Sequence, residues 1–207
     1  MSKGKLAILL AVLILAADQA LKIWIKTHMM IGEEIHIFGN WFIIHFTENN
    51  GMAFGIELFG QVGKYLLSIF RLAMVGLIIY YLHRLSRRAA NAVPMGYFIC
   101  VTMIMAGAAG NIFDCAFYGL IFNDSWNNLA SFVPFGTGYS GFLQGRVVDM
   151  LYFPLIEAHW PAWSPFHPGE EFIFFRPIFN IADSAITCGV IWMLLFERKT
   201  LQKELEK

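Results

Sequence analysis

Charge is scarce in this sequence: 14% of its 207 residues are Asp, Glu, Lys or Arg, against about 25% in an ordinary soluble domain. The 15 basic residues are matched by 15 acidic ones, so the chain lacks the field that draws proteins to nucleic acid. Cysteine is also sparse. Cys100, Cys115 and Cys188 are an odd number with no short spacing, which gives neither a disulfide framework nor a zinc knuckle. The six histidines are scattered, His159 and His167 lie eight apart, and no HExxH pair appears. No metal site and no cofactor is expected from such residues. Internal repeats, low-complexity tracts, linkers and a Walker-type phosphate loop are all missing, so residues 1–207 read as one domain.

What is present in excess is apolar: 57% of the residues, with a mean hydropathy of +0.57. A bilayer core of about 30 Å takes about 20 mostly apolar helical residues, and four runs qualify, at 6–25, 64–82, 93–113 and 178–196. None alternates with the period of two of a barrel strand, so helices are the simpler way to satisfy backbone groups in lipid. The first run, behind Lys3 and Lys5, has some features of a cleavable signal peptide. Its apolar character resumes after Asp18, however, and no small-x-small site precedes a soluble domain, so a retained span is expected.

Orientation follows from Lys and Arg near the span ends. Lys3, Lys5, Arg84, Arg87, Arg88, Arg198, Lys199, Lys203 and Lys207 fall on one side. The opposite loops, 28–63 and 115–177, hold only Arg146 and Arg176. Both termini are therefore expected in the cytoplasm and both long loops outside. In the first loop "EEIHIFGNWFIIHFTENNGMAFG" alternates around a Gly-Asn turn, predicting a β-hairpin or small sheet. The second carries "NDSWNNLASFVPFGTGYSG" and "HWPAWSPFHPGEE". Its aromatic residues fit an amphipathic segment at headgroup level, or a plain aromatic belt that anchors the loop.

Ionisable groups at membrane depth are costly, so each is a functional candidate with a partner to be named. Asp18 and Lys22 are four apart in the first run, on one helical face. Asn111 and Asp114 close the third run, Asn180 and Asp183 open the fourth behind Pro177, and Arg71 lies inside the second. Asp149 sits in the apolar frame "GRVVDMLYF" of the connecting loop. An outward third span and an inward fourth bring Asp114, Asp149 and Asp183 to one external edge, with Asp18 close by. Two carboxylates held together cannot both ionise cheaply; one activates water while the other protonates a carbonyl oxygen. Residue chemistry alone leaves open which pair does this, Asp114 included, and some carboxylates could simply neutralise Lys22 and Arg71 or cap helices. "GYSG" at 138–141 matches the serine string of rhomboid proteases, yet Ser140 is in a polar loop and no later span carries a histidine. The presenilin-type GxGD string is absent. A proton-coupled transporter or channel is the alternative for buried acids, although it normally shows repeats or broken helices at the midplane.

Five strings occur in one order: "DQALK" (18–22), "ENNGMAFG" (48–55), "GAAGNIFD" (107–114), "VVDMLYF" (147–153) and "FNIADS" (179–184). Together they resemble the motifs of the lipoprotein signal peptidases, the type II signal peptidases of bacteria. The resemblance implies an all-α membrane protein. It would have four transmembrane helices, a small extracytoplasmic β-cradle and a long amphipathic extracytoplasmic loop, in the bacterial cell inner membrane. It implies an aspartyl endopeptidase that removes signal peptides from diacylglyceryl prolipoproteins just before the lipidated cysteine, with its site at the extracytoplasmic face. Asp149 and Asp183 match the catalytic aspartates. Asn49, Gly51, Asn111, Asp114, Asn180, Ala182, Asp18 and Lys22 match residues that line or brace the site. Membrane lipid as a partner, inhibition by globomycin-like peptides and no metal are implied as well, and a monomer is assumed.

Two departures stand out. The family usually has Arg after the Gly-Asn-x-x-Asp aspartate, where this chain has Cys115, so Arg146 or Arg176 is expected to supply that charge. The stretches 114–149 and 153–177 are longer than usual, as a lid or a partner surface would be.

Overall fold

The computed structural model describes residues 2–50, 60–88, 92–163, 165, 167, 169–174 and 176–206. Uninterrupted runs of Leu, Ile and Ala make the first helix, α1 (Lys3–His28), which opens on the Ser2 side chain accepting the Lys5 N–H at 3.4 Å. α2 (Gly60–Ser86) and α3 (Met95–Phe113) follow. Past Phe113 the chain widens into a π-helical turn, Asp114–Tyr118, and ends in a single turn, α4 (Gly119–Ile121). The last apolar run gives α5 (Ile181–Phe196), and α6 (Arg198–Leu205) closes the chain.

Three helical stretches, Lys3–His28, Val62–Ser86 and Met95–Ile121, are long and apolar enough to cross a membrane. The fourth run differs from its expected range of 178–196. Ile178 and Phe179 form a strand, Asn180 caps the helix, and α5 has 16 residues, or about 24 Å. Pro177 therefore precedes the strand and does not start the helix.

α3 is the central helix, packed on α1, α2 and α5. Close approach to α5 depends on Gly107, where a Cβ would overlap the Ala182 carbonyl oxygen. Gly107→Ala is expected to lower stability by about 1–3 kcal/mol, the usual cost of overpacking, as a fall in melting temperature. Outward faces of the helices stay apolar and uncovered, as at Ile8, Leu13, Leu66, Ile69, Leu77 and Leu195. An apolar perimeter of that kind suits lipid as its solvent.

The hairpin expected in the first loop is present as β1 (Glu34–Phe38) and β2 (Phe42–Asn49). The sheet goes further, because the second loop adds β3 (Val147–Tyr152) and β6 (Ile178–Phe179) in the antiparallel order β1-β2-β3-β6. β4 (Ile156–His159) and β5 (Glu171–Phe174) form a separate two-stranded sheet within the second loop. The pairing of β2 with β3 sets Thr47 opposite Asp149, Glu48 opposite Val148 and Asn49 opposite Val147. A register shift between Ile44 and Thr47 leaves a bulge one step from Asp149. Bulges of this kind re-aim side chains beside active sites. Strand side chains alternate, so Thr47, Asn49 and Asp149 share one face while Glu48, Val148 and Met150 share the other. The second face is buried on Ile25 and Met29 of α1 and on Tyr118 and Phe122, which holds the sheet over the ends of α1 and α3.

Candidate active site

Asp149 and Asp183 reach the site by different routes. Asp149 comes from the middle of β3 and is 3% exposed. Asp183 is in the first turn of α5, where the sequence Asn-x-x-Asp folds as a reciprocal cap. The Asn180 side chain accepts the Asp183 N–H at 2.9 Å, and the Asp183 carboxylate accepts the Asn180 N–H at 3.4 Å. Two orphan helix donors are satisfied by one motif, and that motif also aims Asp183 at the sheet.

Asn180 joins the two carboxylates. Its side-chain amide donates to Asp149 Oδ1 at 2.6 Å, and also lies 3.3 Å from the Val148 carbonyl and 3.1 Å from Asn111 Oδ1. The amide of Asn49 donates to Asp149 Oδ2, and that of Asn111 donates to Asp183 Oδ1 at 2.7 Å. Each carboxylate therefore faces an asparagine on at least one side. Burial, and next the negative charge of Asp183, push the Asp149 carboxyl up to about 7, against the opposing pull of the Asn180 and Asn49 amides.

A second tier lies beneath. Lys22 is fully buried and contacts Asp18 at 2.9 Å, Asp114 at 2.8 Å and Asn111 Oδ1 at 2.9 Å. Asp18 also accepts the Ala182 N–H at 2.9 Å, tying α1 to the start of α5. Asp114 accepts the Val148 N–H at 3.4 Å, tying α3 to the strand that carries Asp149. Asp114, open to either role on residue chemistry, thus braces the strand through the backbone. Two residues that the motif reading passed over complete this tier. Gln19 donates to Asp114 at 2.8 Å and to Asp18 at 3.1 Å, while the Tyr118 hydroxyl donates to Gln19 at 3.0 Å. Among the described residues, every buried side-chain nitrogen and oxygen has a partner, as a low-dielectric network requires.

At the π-helical turn Asp114–Tyr118 a distant stretch of chain comes close. The Cys115 carbonyl accepts the Gly145 N–H at 2.8 Å. Gly145 passes so close that a Cβ there would overlap the Asp114 carbonyl oxygen. Wide turns of this kind recur at functional sites; here one lets the chain approach between α3 and β3. The charge expected near Cys115 from Arg146 or Arg176 comes from elsewhere. Arg146 is bound to Glu48 and Asp124, Arg176 is exposed, and the guanidinium beside the Cys115 thiol belongs to Arg71 of α2. Gly51 lies outside the described residues. Among the described residues, no three His, Cys, Asp or Glu side chains cluster so as to hold a metal ion.

Comparison with known proteins places the chain in a family. The family model for signal peptidase (SPase) II matches residues 10–198. The lipoprotein signal peptidase of Porphyromonas gingivalis is 47% identical over 199 residues, covering 96% of this chain and 85% of that one. The lipoprotein signal peptidase of Amoebophilus asiaticus is 35% identical over 202 residues, covering 96% and 80%. A bacterial membrane enzyme solved by the in meso method superposes with a TM-score of 0.60 at 24% identity, over 98% of this chain and 93% of that one, a likeness of fold. With a family match over nearly its whole length and close relatives that carry the same name, the chain belongs to the signal peptidase II family, the lipoprotein signal peptidases.

Proposed function

We propose that Asp149 and Asp183 form the catalytic dyad of an intramembrane aspartyl endopeptidase. It removes the signal peptide from a diacylglyceryl prolipoprotein by cutting before the lipidated cysteine. The observation that carries this reading is the single Asn180, whose side-chain amide donates to the buried Asp149 carboxyl and whose backbone N–H donates to the half-buried Asp183 carboxyl. Because Asp149 is pushed up to about 7, its carboxyl carries the acid proton below neutral pH.

The reaction then balances without another reactant. Asp183 takes a proton from water, the water oxygen adds to the scissile carbonyl, and Asp149 gives its proton to the carbonyl oxygen, forming a gem-diol. On collapse the C–N bond breaks. The proton on Asp183 passes to the leaving nitrogen and a diol hydroxyl returns its proton to Asp149. Fixing both carboxylates beforehand is the chief contribution of Asn49, Asn111 and Asn180, since effective molarity falls steeply with misplacement. Acyl chains that move from bilayer to enzyme gain little from burial, so lipid selectivity rests on shape around the glyceryl thioether.

The topology that fits this reading has four crossings, α1, α2, α3 and α5, in the inner membrane of a bacterium. Both termini are cytoplasmic and the sheet is a cradle on the outer face. The 24 Å of α5 is adequate because its N-terminus begins at the depth of the site. The protein acts as a monomer, and a globomycin-like peptide would compete for the same cleft. Membership of a peptidase family leaves the transporter alternative without support.

The pH dependence has a definite sign. Asp149 must be protonated to serve as the acid, so kcat/KM is expected to fall about tenfold per pH unit above about 7. A rate profile of the detergent-purified protein between pH 5 and 9 checks this, and a profile flat to pH 9 would exclude Asp149 as the acid.

A further inference from the structure

Behind the sheet, on the face opposite Asn49 and Asp149, lies a second set of charges that the dyad does not use. Lys26 and Glu48 are its centre, an ion pair with side chains 0% and 2% exposed. Lys26 Nζ donates to Ser125 Oγ at 2.6 Å, and Ser125 donates on to Glu48 at 2.9 Å. Arg146 donates to the other Glu48 oxygen at 3.0 Å and grips both oxygens of Asp124 at 3.0 and 3.2 Å. The Tyr139 ring lies 5.1 Å from Lys26 Nζ and 4.7 Å from Arg146 Cζ, and its hydroxyl accepts the Arg146 N–H at 2.6 Å. Most of these partners come from 122–146, the long segment between Asp114 and Asp149. In the described residues it acts as a brace from behind.

A buried ion pair is a poor device for stability, because desolvation of the two charges cancels most of their attraction. Its best-attested use is to fix register, and register is what this site needs. Glu48 and Asn49 are neighbours on β2, one facing back and one facing the dyad. A slip of one residue swaps the faces, which would bury Asn49 and lay a carboxylate against Asp149. We infer that Lys26 and Arg146, by holding Glu48 behind the sheet, fix the register that lays Asn49 on Asp149, which makes Glu48 a positioning residue for the cleavage.

This rests on the assignment of Asp149 to the dyad, and one experiment separates the two claims. Cleavage of a synthetic diacylglyceryl prolipoprotein peptide and thermal melting are measured for wild type, Asp149→Asn, Glu48→Gln and the apolar double variant Lys26→Met/Glu48→Leu. Glu48→Gln is expected to lower kcat about tenfold or more with KM within about twofold. The double variant is expected to melt at or above wild type and yet show the same loss of kcat. Wild-type kcat in either Glu48 variant overturns the inference, as does unfolding of both, which would make the pair a stability element. An active Asp149→Asn overturns the dyad assignment instead, whatever Glu48 does.

Discussion

Asp149→Asn and Asp183→Asn are each expected to leave a folded protein whose cleavage rate is lower by about 10²–10⁴-fold or more, the usual worth of a positioned acid or base. The amide keeps the size of the carboxyl and can still meet Asn180, so packing is preserved. What it removes differs at the two positions. Under the proposed mechanism it removes at Asp149 the acid that protonates the carbonyl oxygen, and at Asp183 the base that activates water. Asp114→Asn is the informative control. Asp114 is buried with Lys22, Gln19 and the Val148 N–H, and its loss should show in melting temperature more than in kcat. Single-turnover cleavage beside thermal melts of the three variants distinguishes these outcomes. Equal loss of chemistry at Asp114 would argue that the acid pair has been misassigned.

Lys22→Met is expected to have the largest effect on stability. Lys22 alone among the described cations touches both Asp18 and Asp114, at 2.9 and 2.8 Å, and all three side chains are buried. Without the ammonium, two carboxylates remain in a site closed to water. Breaking a buried pair by removing one partner costs about 3–5 kcal/mol, a large part of the 5–15 kcal/mol that holds a typical protein folded. Neutralising Asp18 and Asp114 as Asn together with Lys22→Met should recover part of the loss. The check is melting temperature and yield of folded protein after detergent extraction. A Lys22→Met protein that melts within a few degrees of wild type would show that the second tier is not held by charge.

Much of this site can be read from sequence because charge at membrane depth has few explanations. Asp18, Lys22, Asn111, Asp114, Asn180 and Asp183 stand out against apolar runs, and helical spacing plus span direction already brings them to one edge. Asn180 and Asp183 could even be placed in a cap from their spacing of three. The strands were harder. Val147–Tyr152 is apolar on both sides of an acid and shows no clean alternation, and Ile178–Phe179 is too short to separate from the span it adjoins. That is why the fourth run reads three residues too long. Lys26 shows a different limit. It lies four residues beyond Lys22 on the same helical face, a spacing plain in the sequence. Its partner Glu48 lies 22 positions away across a hairpin, and only the folded register brings them together. The π-helical turn left no signal either, since the chain that meets it, at Gly145, is distant in sequence.

The measurement that bears most directly on the central claim is cleavage by the purified chain, in detergent, of a synthetic prolipoprotein peptide carrying diacylglycerol on its cysteine. Products are identified by mass spectrometry, and a parallel reaction uses folded Asp149→Asn. One cut is expected, immediately before the lipidated cysteine, with product from the variant lower by about 10²-fold or more. A cut elsewhere, or equal product from the variant, would contradict that claim.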